Sequence, residues 1–160
     1  MSITVNGKVV NVKNFFNRIF FNGEPKRIDE KKSISANNIS RISVTSDYAD
    51  VQLNVTNSNN INAHFFGNVT TTGTSKFDVS AFGNEVKITA KLTGHSMDSN
   101  LHLNLDIPAK VFETIEVKSK YGNIAFSKDL RVKKLFLKSK KGTFKRQIIK
   151  DSSLLYRHNL

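Results

Sequence analysis

From Ser33 onward, apolar and polar residues alternate along much of the chain. Ile42, Val44, Val51, Leu53 and Val55 are interleaved with polar side chains. So are Val86, Ile88, Ala90 and Leu92, and again Leu101, Leu103, Leu105 and Ile107 ahead of Pro108. A period of two puts every second side chain on one face, so each run predicts a strand with one buried face. Runs such as Thr56-Asn57-Ser58-Asn59-Asn60 and Thr70-Thr71-Thr72-Gly73-Thr74 predict the turns between them. Residues 1–32 read as a small separate element. Ile3-Thr4-Val5 and Lys8-Val9-Val10 flank Asn6-Gly7, a hairpin signal because both turn positions need positive φ. Pro25 and the polar stretch from Glu24 to Lys32 predict a linker. Phe15, Phe16, Phe20 and Phe21 require cover and are expected to pack against the start of the next unit.

A ten-residue template occurs three times. Ile42-Ser43-Val44-Thr45-Ser46-Asp47-Tyr48-Ala49-Asp50-Val51 aligns with residues from Ile115 through Ser119 and Gly122 to Ile124. Both align with residues from Leu135 through Ser139 and Gly142 to Phe144, 20 positions further on. The common form is apolar-x-apolar-x-Ser-x-x-Gly/Ala-Asp/Asn/Thr-apolar. A strand, a corner and a second strand in about 20 residues is one coil of a β-solenoid whose coils stack in parallel. The Ser hydroxyl is suited to corner backbone groups that leave the ladder. Gly122 and Gly142 are expected to supply positive φ there. A β-sandwich built from similar hairpins is the alternative.

These residues resemble a family. The Ser-x-x-Gly-Asn/Asp corners, preceded by the strand end Leu105-Asp106-Ile107-Pro108, are similar to those of the bacterial putative-adhesin domain of unknown function. The resemblance covers residues 33–144. It implies a parallel β-solenoid-like fold, linked to cell-envelope or stress-response proteins, and brings no catalytic residue with it. The chain departs from the family's pattern where Gly142 is followed by Thr143-Phe144-Lys145-Arg146 rather than another full coil. The array is therefore expected to end there. The tail, residues 145–160, breaks the period of two. Ile148, Ile149, Leu155 and Tyr156 share one helical face, which predicts a cap over the open end or a basic surface-lying helix. The expected architecture is all-β: an N-terminal hairpin element and linker (1–32), a parallel solenoid (33–144) and a capping tail (145–160).

Composition agrees with that class. Val, Ile and Thr number 13, 13 and 11 against 7 Ala. The absence of cysteine excludes disulfide scaffolds, thiolate metal sites and cysteine nucleophiles. Charge changes the functional picture more. The net charge is +12, and the excess is uneven. Residues 1–110 carry 12 basic and 9 acidic side chains, whereas residues 111–160 carry 13 and 4. That concentration points to an anionic partner. The residues from Met1 to Gly7 lack a basic stretch leading into an apolar run, and no window reaches about 18 apolar residues. A cytoplasmic location, with peripheral membrane attachment as an option, is the expectation.

No constellation carries catalytic chemistry, so the chain is not expected to be an enzyme or to hold a cofactor. His95 and His102 flank Asp98, but a spacing of seven on a strand puts the rings on opposite faces, which argues against a shared metal. Asp47 and Asp50 are replaced by Lys120 and Asn123 in the second copy and by Lys140 and Thr143 in the third. Residues that vary this way read as corner positions rather than as a carboxylate pair. The lysines are different. In-register stacking sets Lys118 beside Lys138 and Lys120 beside Lys140, about 4.8 Å apart along the backbone. Lys118, Lys120, Lys138, Lys140 and Lys141 are the candidate anion-binding residues. Tyr121 and Phe136 are the aromatics near them, and sequence-specific reading of nucleic acid is not expected. The expected function is a non-enzymatic scaffold or binding module with a protein or cell-envelope partner. The alternative is a protein that binds anionic lipid or another polyanion through the Lys ladder, and strand edges offer a route to homo-oligomers.

Overall fold

The computed structural model describes residues 2–5, 8–11, 23–146 and 153–158, which contain fourteen strands and no helix. β1 (Ser2–Val5) and β2 (Lys8–Asn11) pair antiparallel, with Val5 opposite Lys8, as the hairpin signal predicts. The phenylalanines expected to pack beyond this hairpin lie outside the described residues, as do Ile148 and Ile149.

The other twelve strands form two six-stranded sheets. Sheet I contains β4 (Arg41–Ser46), β7 (Ser75–Phe82), β8 (Glu85–Leu92), β10 (Phe112–Ser119), β12 (Val132–Ser139) and β14 (Ser153–His158), in the order β14-β12-β10-β4-β8-β7. Sheet II contains β3 (Glu24–Ser35), β5 (Asp50–Thr56), β6 (Asn60–Thr71), β9 (Ser96–Pro108), β11 (Ile124–Phe126) and β13 (Phe144–Arg146), in the order β13-β11-β5-β9-β6-β3. A coil is one strand of sheet I, a short corner and one strand of sheet II. β4–β5, β8–β9, β10–β11 and β12–β13 are such coils, and their strands pair in parallel.

The stack is not parallel throughout, which corrects the expectation of a purely parallel solenoid. β6 and β7 form a coil that runs in reverse, antiparallel to β9 and β8, and β3 is antiparallel to β6. The reason is connection length. A parallel neighbour needs a crossover back to the first sheet, whereas a tight turn returns the chain antiparallel. Residues 57–59 return the chain within sheet II, and Gly83-Asn84 joins β7 to β8 as a two-residue hairpin with Gly83 at φ 59°. The later coil β8–β9 then fills the space between β4–β5 and β7–β6.

Two further corrections concern the ends of the repeat. The stretch from Glu24 to Lys32, expected as a linker, belongs to β3 and pairs with β6 from Glu24↔Thr71 to Ser35↔Asn60. Pro25 is tolerated because β3 is the edge strand of sheet II, where a missing N–H need not break a ladder. In the tail, residues 153–158 form a strand rather than a helix. β14 pairs in parallel with β12, Leu135↔Leu154 to Ser139↔His158, so the array continues past Phe144. An open parallel edge on β12 offers a row of unpaired backbone groups, and satisfying it outweighs the weak helical pattern of the tail.

The inner faces of both sheets share one core. Ile42, Val44, Val86, Ile88, Ile115, Val117, Leu135 and Leu137 come from sheet I, and Val51, Leu53, Phe65, Leu103, Leu105 and Ile124 from sheet II. At the corners the template Ser is buried in each copy. The Ser46 hydroxyl donates to the Ala49 carbonyl (3.2 Å) and the Ser119 hydroxyl to the Gly122 carbonyl (2.9 Å), while Ser139 Oγ accepts the Gly142 N–H (2.7 Å). This is the role the repeat predicts for Ser. Ser139→Ala should therefore cost about 1–2 kcal/mol, because it leaves a buried N–H without its acceptor. Chemical denaturation checks this as a lower midpoint with an unchanged slope.

Gly122 and Gly142 are needed for a different reason from the one expected. Neither has positive φ; among the described glycines only Gly67, Gly83 and Gly94 do. Successive corners stack so closely that a Cβ on Gly122 would lie 1.9 Å from the Ala49 carbonyl oxygen. One on Gly142 would lie 2.0 Å from that of Gly122.

Candidate functional site

The parallel register that builds the coils also builds a basic row on the outer face of sheet I. Lys138 lies opposite Lys118, and Lys118 opposite Thr45. Arg157 occupies the next register position, on β14. One step into the corner, the Lys140 N–H donates to the Ser119 carbonyl and the Lys141 N–H to the Lys120 carbonyl, so the same register carries on past the strands. Lys118, Lys120, Lys138 and Lys140 line one shallow depression of about 210 Å³ together with Thr45 and Asp47. The sequence-predicted ladder is thus one surface feature.

Its electrostatics are mixed. Lys118 is paired with Glu116 across 2.6 Å, two residues earlier on the same outward face. Among the described residues, Lys120, Lys138 and Lys140 form no ion pair, and all three are exposed. Lys141 is set apart from the depression. Its ammonium lies 5.5 Å from the Tyr121 ring centre, and that of Lys120 lies 5.4 Å from it. Tyr121 stacks on Tyr48 at 5.0 Å. Tyr48, Tyr121 and Lys141 occupy one template position in successive corners, so the Tyr121 ring is already engaged with its neighbours. Phe136 projects outward and is half-buried, opposite Glu116.

The corner carboxylates are also assigned. Asp50 Oδ1 accepts the Asn123 N–H (2.8 Å), and Asn123 Oδ1 accepts both the N–H (2.9 Å) and the hydroxyl (3.1 Å) of Thr143. The Asp/Asn/Thr position of the template is therefore a hydrogen-bond ladder that ties one corner to the next. Asp47 Oδ2 accepts the Leu92 N–H at 3.4 Å. His95 sits in the corner between β8 and β9, while His102 lies on β9. Among the described residues no three of His, Asp or Glu are grouped as metal ligands would be.

One cluster was not predicted. On the outer face of sheet II, Phe66 stacks against His64 (4.3 Å between ring centres) and against His102 (5.2 Å). His64 Nε2 meets Asp29 Oδ1 at 2.7 Å. That hydrogen bond, aided by the charges of His64, Lys31 and Arg27, holds the exposed Asp29 carboxyl below its ordinary range. The sequence signal was parity. Phe66 and His102 are aromatic side chains at outward positions of strands whose neighbours Phe65, Leu101 and Leu103 are buried.

A family model described as Toastrack DUF4097 matches residues 39–154. The chain belongs to that family. The match runs into β14, so the Toastrack repeat extends beyond residue 144, as the pairing of β12 with β14 requires. Among solved structures, the Toastrack domain is similar to a putative cell adhesion protein from Clostridium sporogenes, with 13% identity and a TM-score of 0.47, covering 73% of this chain and 59% of that one. It is similar to a putative adhesin from Bacteroides fragilis at 10% identity and a TM-score of 0.46, over 77% and 64% of the two chains. A putative lipid binding protein from Parabacteroides distasonis matches at 16% identity and a TM-score of 0.34, over 83% and 61%. The chain spans about three fifths of the length of these solved structures. No curated protein matches it. The family match agrees with the resemblance carried by the corner motifs.

Proposed function

We propose that this Toastrack domain is a non-enzymatic binding module that docks on an anionic surface through Lys118, Lys120, Lys138 and Lys140. The observation that carries the reading is the in-register pairing of Lys118 with Lys138. Two like charges held at the roughly 4.8 Å spacing of paired strands would repel by roughly 0.9 kcal/mol even in bulk water. An anionic partner along the row removes that repulsion and gains from each ammonium. Lys120, Lys138 and Lys140 are exposed and have no acidic partner among the described residues, so they can turn toward such a surface. Lys141, held over Tyr121, flanks the depression rather than lining it.

The test is a salt titration. Binding of the full chain to vesicles of phosphatidylserine and phosphatidylcholine, and separately to duplex DNA, is measured at about 50 and 200 mM salt. With four ammonium groups engaged, affinity for the duplex should fall about a hundredfold between those concentrations, and vesicle binding should weaken in parallel. Docking on an uncharged protein surface would show little salt dependence. No binding to either probe at 50 mM would remove the reading.

A further inference from the structure

The outer face of sheet II differs from the Lys row in kind. Its outward register row runs Lys31, His64, Asn104, Gln52, Ala125, crossing β3, β6, β9, β5 and β11. Five strands at about 4.8 Å spacing make a path roughly 19 Å long across the sheet. On one side stand the stacked rings of Phe66 and His102 with Asp29 and Asp50. On the other stand Ser33, Asn62, Asp106 and Asn54, with Asn54 Nδ2 donating to Asp106 Oδ1 (3.1 Å) and the Ser33 hydroxyl donating to Asn62 Oδ1 (2.7 Å). Two clefts open along this path. One of about 440 Å³ is lined by Lys31, Asn62, His64, Asn104 and Asp106 among others. The second, of about 340 Å³, includes Asp50, Gln52, His102, Asn104 and Asn123. Asn104 belongs to both, so the clefts meet at its side chain, which has no hydrogen-bond partner among the described residues.

From this juxtaposition we propose that the trough centred on Asn104, walled by His64 and His102, whose rings both stack on Phe66, binds an uncharged, extended glycan. The chemistry of the lining selects that class. Each cleft has one aromatic wall, formed by His64 in the first and His102 in the second, and carboxamide or carboxylate groups beside it. An aromatic ring packs against the C–H face of a pyranose, while amides and carboxylates donate to and accept from its hydroxyls. The strand spacing is comparable with the repeat of an extended pyranose chain, so successive sugars would meet successive strands. Charge points the same way. The basic register positions of this face, Arg27, Lys31 and Lys145, are balanced by the acidic ones, Asp29, Asp50 and Asp106, so it offers no net attraction to a phosphate backbone or an anionic lipid. The strand carrying the aromatic wall is also shaped for its task. β6 has a register irregularity between Asn68 and Thr70, and Gly67, next to Phe66, has φ 132°; a Cβ there would lie 2.0 Å from the Asn100 carbonyl oxygen. Irregularities of this kind re-aim neighbouring side chains.

The test uses the full chain and soluble neutral polymers as probes: hydroxyethyl cellulose, laminarin, xylan and dextran. Retardation in affinity gels gives binding, and Phe66→Trp provides a fluorescence reporter in a chain that has no tryptophan of its own. At least one polymer should bind and shift the emission of that variant to the blue. Asn104→Ala and His102→Ala should each weaken binding by about tenfold or more. Both residues face outward, so loss of binding with an unchanged melting temperature separates a lost contact from a lost fold. Raising salt from about 50 to 500 mM should leave binding intact, because a neutral ligand releases no counterions. Replacing the Lys row should leave it intact too. Failure of all four polymers at about 1% concentration would overturn the proposal, as would binding unchanged in both variants. Preference for a sulfated or phosphorylated polymer, lost in high salt, would assign the ligand to the Lys face and overturn it as well.

Discussion

Changing Lys118, Lys120, Lys138 and Lys140 together to Gln is expected to lower affinity for phosphatidylserine vesicles by about three orders of magnitude. Each basic side chain near an anionic leaflet contributes about 1 kcal/mol, and four of them sum to roughly 4 kcal/mol. The variant should fold normally, since all four side chains are exposed. Loss of the Lys118–Glu116 ion pair offsets relief of the Lys118/Lys138 repulsion, so its melting temperature should be nearly unchanged. Glu116, 2.6 Å from Lys118, and Asp47, in the same depression, offset part of the field. Glu116→Gln and Asp47→Asn should therefore act in the opposite sense and tighten vesicle binding. Co-sedimentation of the native chain and the three variants at one low salt concentration reads all of these changes. Equal affinity of the native and quadruple-Gln chains would place the contact surface elsewhere.

The second large effect is expected at Gly122. Gly122→Ala should destabilise the domain by about 4 kcal/mol, near the upper end of what single substitutions do. Three backbone atoms of the preceding corner would lie within 3 Å of the new methyl: the Ala49 carbonyl oxygen at 1.9 Å and carbon at 2.5 Å, and the Asp50 nitrogen at 2.9 Å. None can rotate away as a side chain would. The Val51 N–H donates to the Asn123 carbonyl, and the Asn123 N–H to Asp50 Oδ1, so both corners are held where they are. Gly142→Ala should behave similarly, with the Gly122 carbonyl oxygen 2.0 Å from its added carbon. Gly83→Ala is the control. Its added methyl meets nothing within 4 Å, and only the positive φ opposes it, at about 1 kcal/mol. Thermal unfolding should separate the two cases by roughly 6–12 °C for a chain of this size. Equal losses at Gly122 and Gly83 would mean that the corners relax apart.

The template predicted more about local chemistry than about connection. Ser46, Ser119 and Ser139 were legible because a hydroxyl recurring at a fixed offset from a strand end has few uses other than its corner. Lys118 beside Lys138 was legible because copies of equal length stack in register. The aromatic trough was not. Phe66 and His102 lie 36 positions apart, and only the antiparallel pairing of β6 with β9 makes them neighbours. The tail was misread for a related reason. The helical face read from Ile148, Ile149, Leu155 and Tyr156 ignored the unpaired edge of β12, which offered residues 153–158 a ladder.

Side-chain periodicity and spacing within one repeat were enough to specify the strands of the repeat, their buried faces, the Ser corners and the basic row. Strand adjacency had to come from three-dimensional packing: β8–β9 lies between β4–β5 and the reversed coil β7–β6, and β3 closes sheet II. A period of two states which side of a strand is buried, yet the backbone groups along its edges pair with either a parallel or an antiparallel neighbour. Burial is non-directional. The partner of each strand was therefore settled by the length of the connections and by which arrangement filled one shared core.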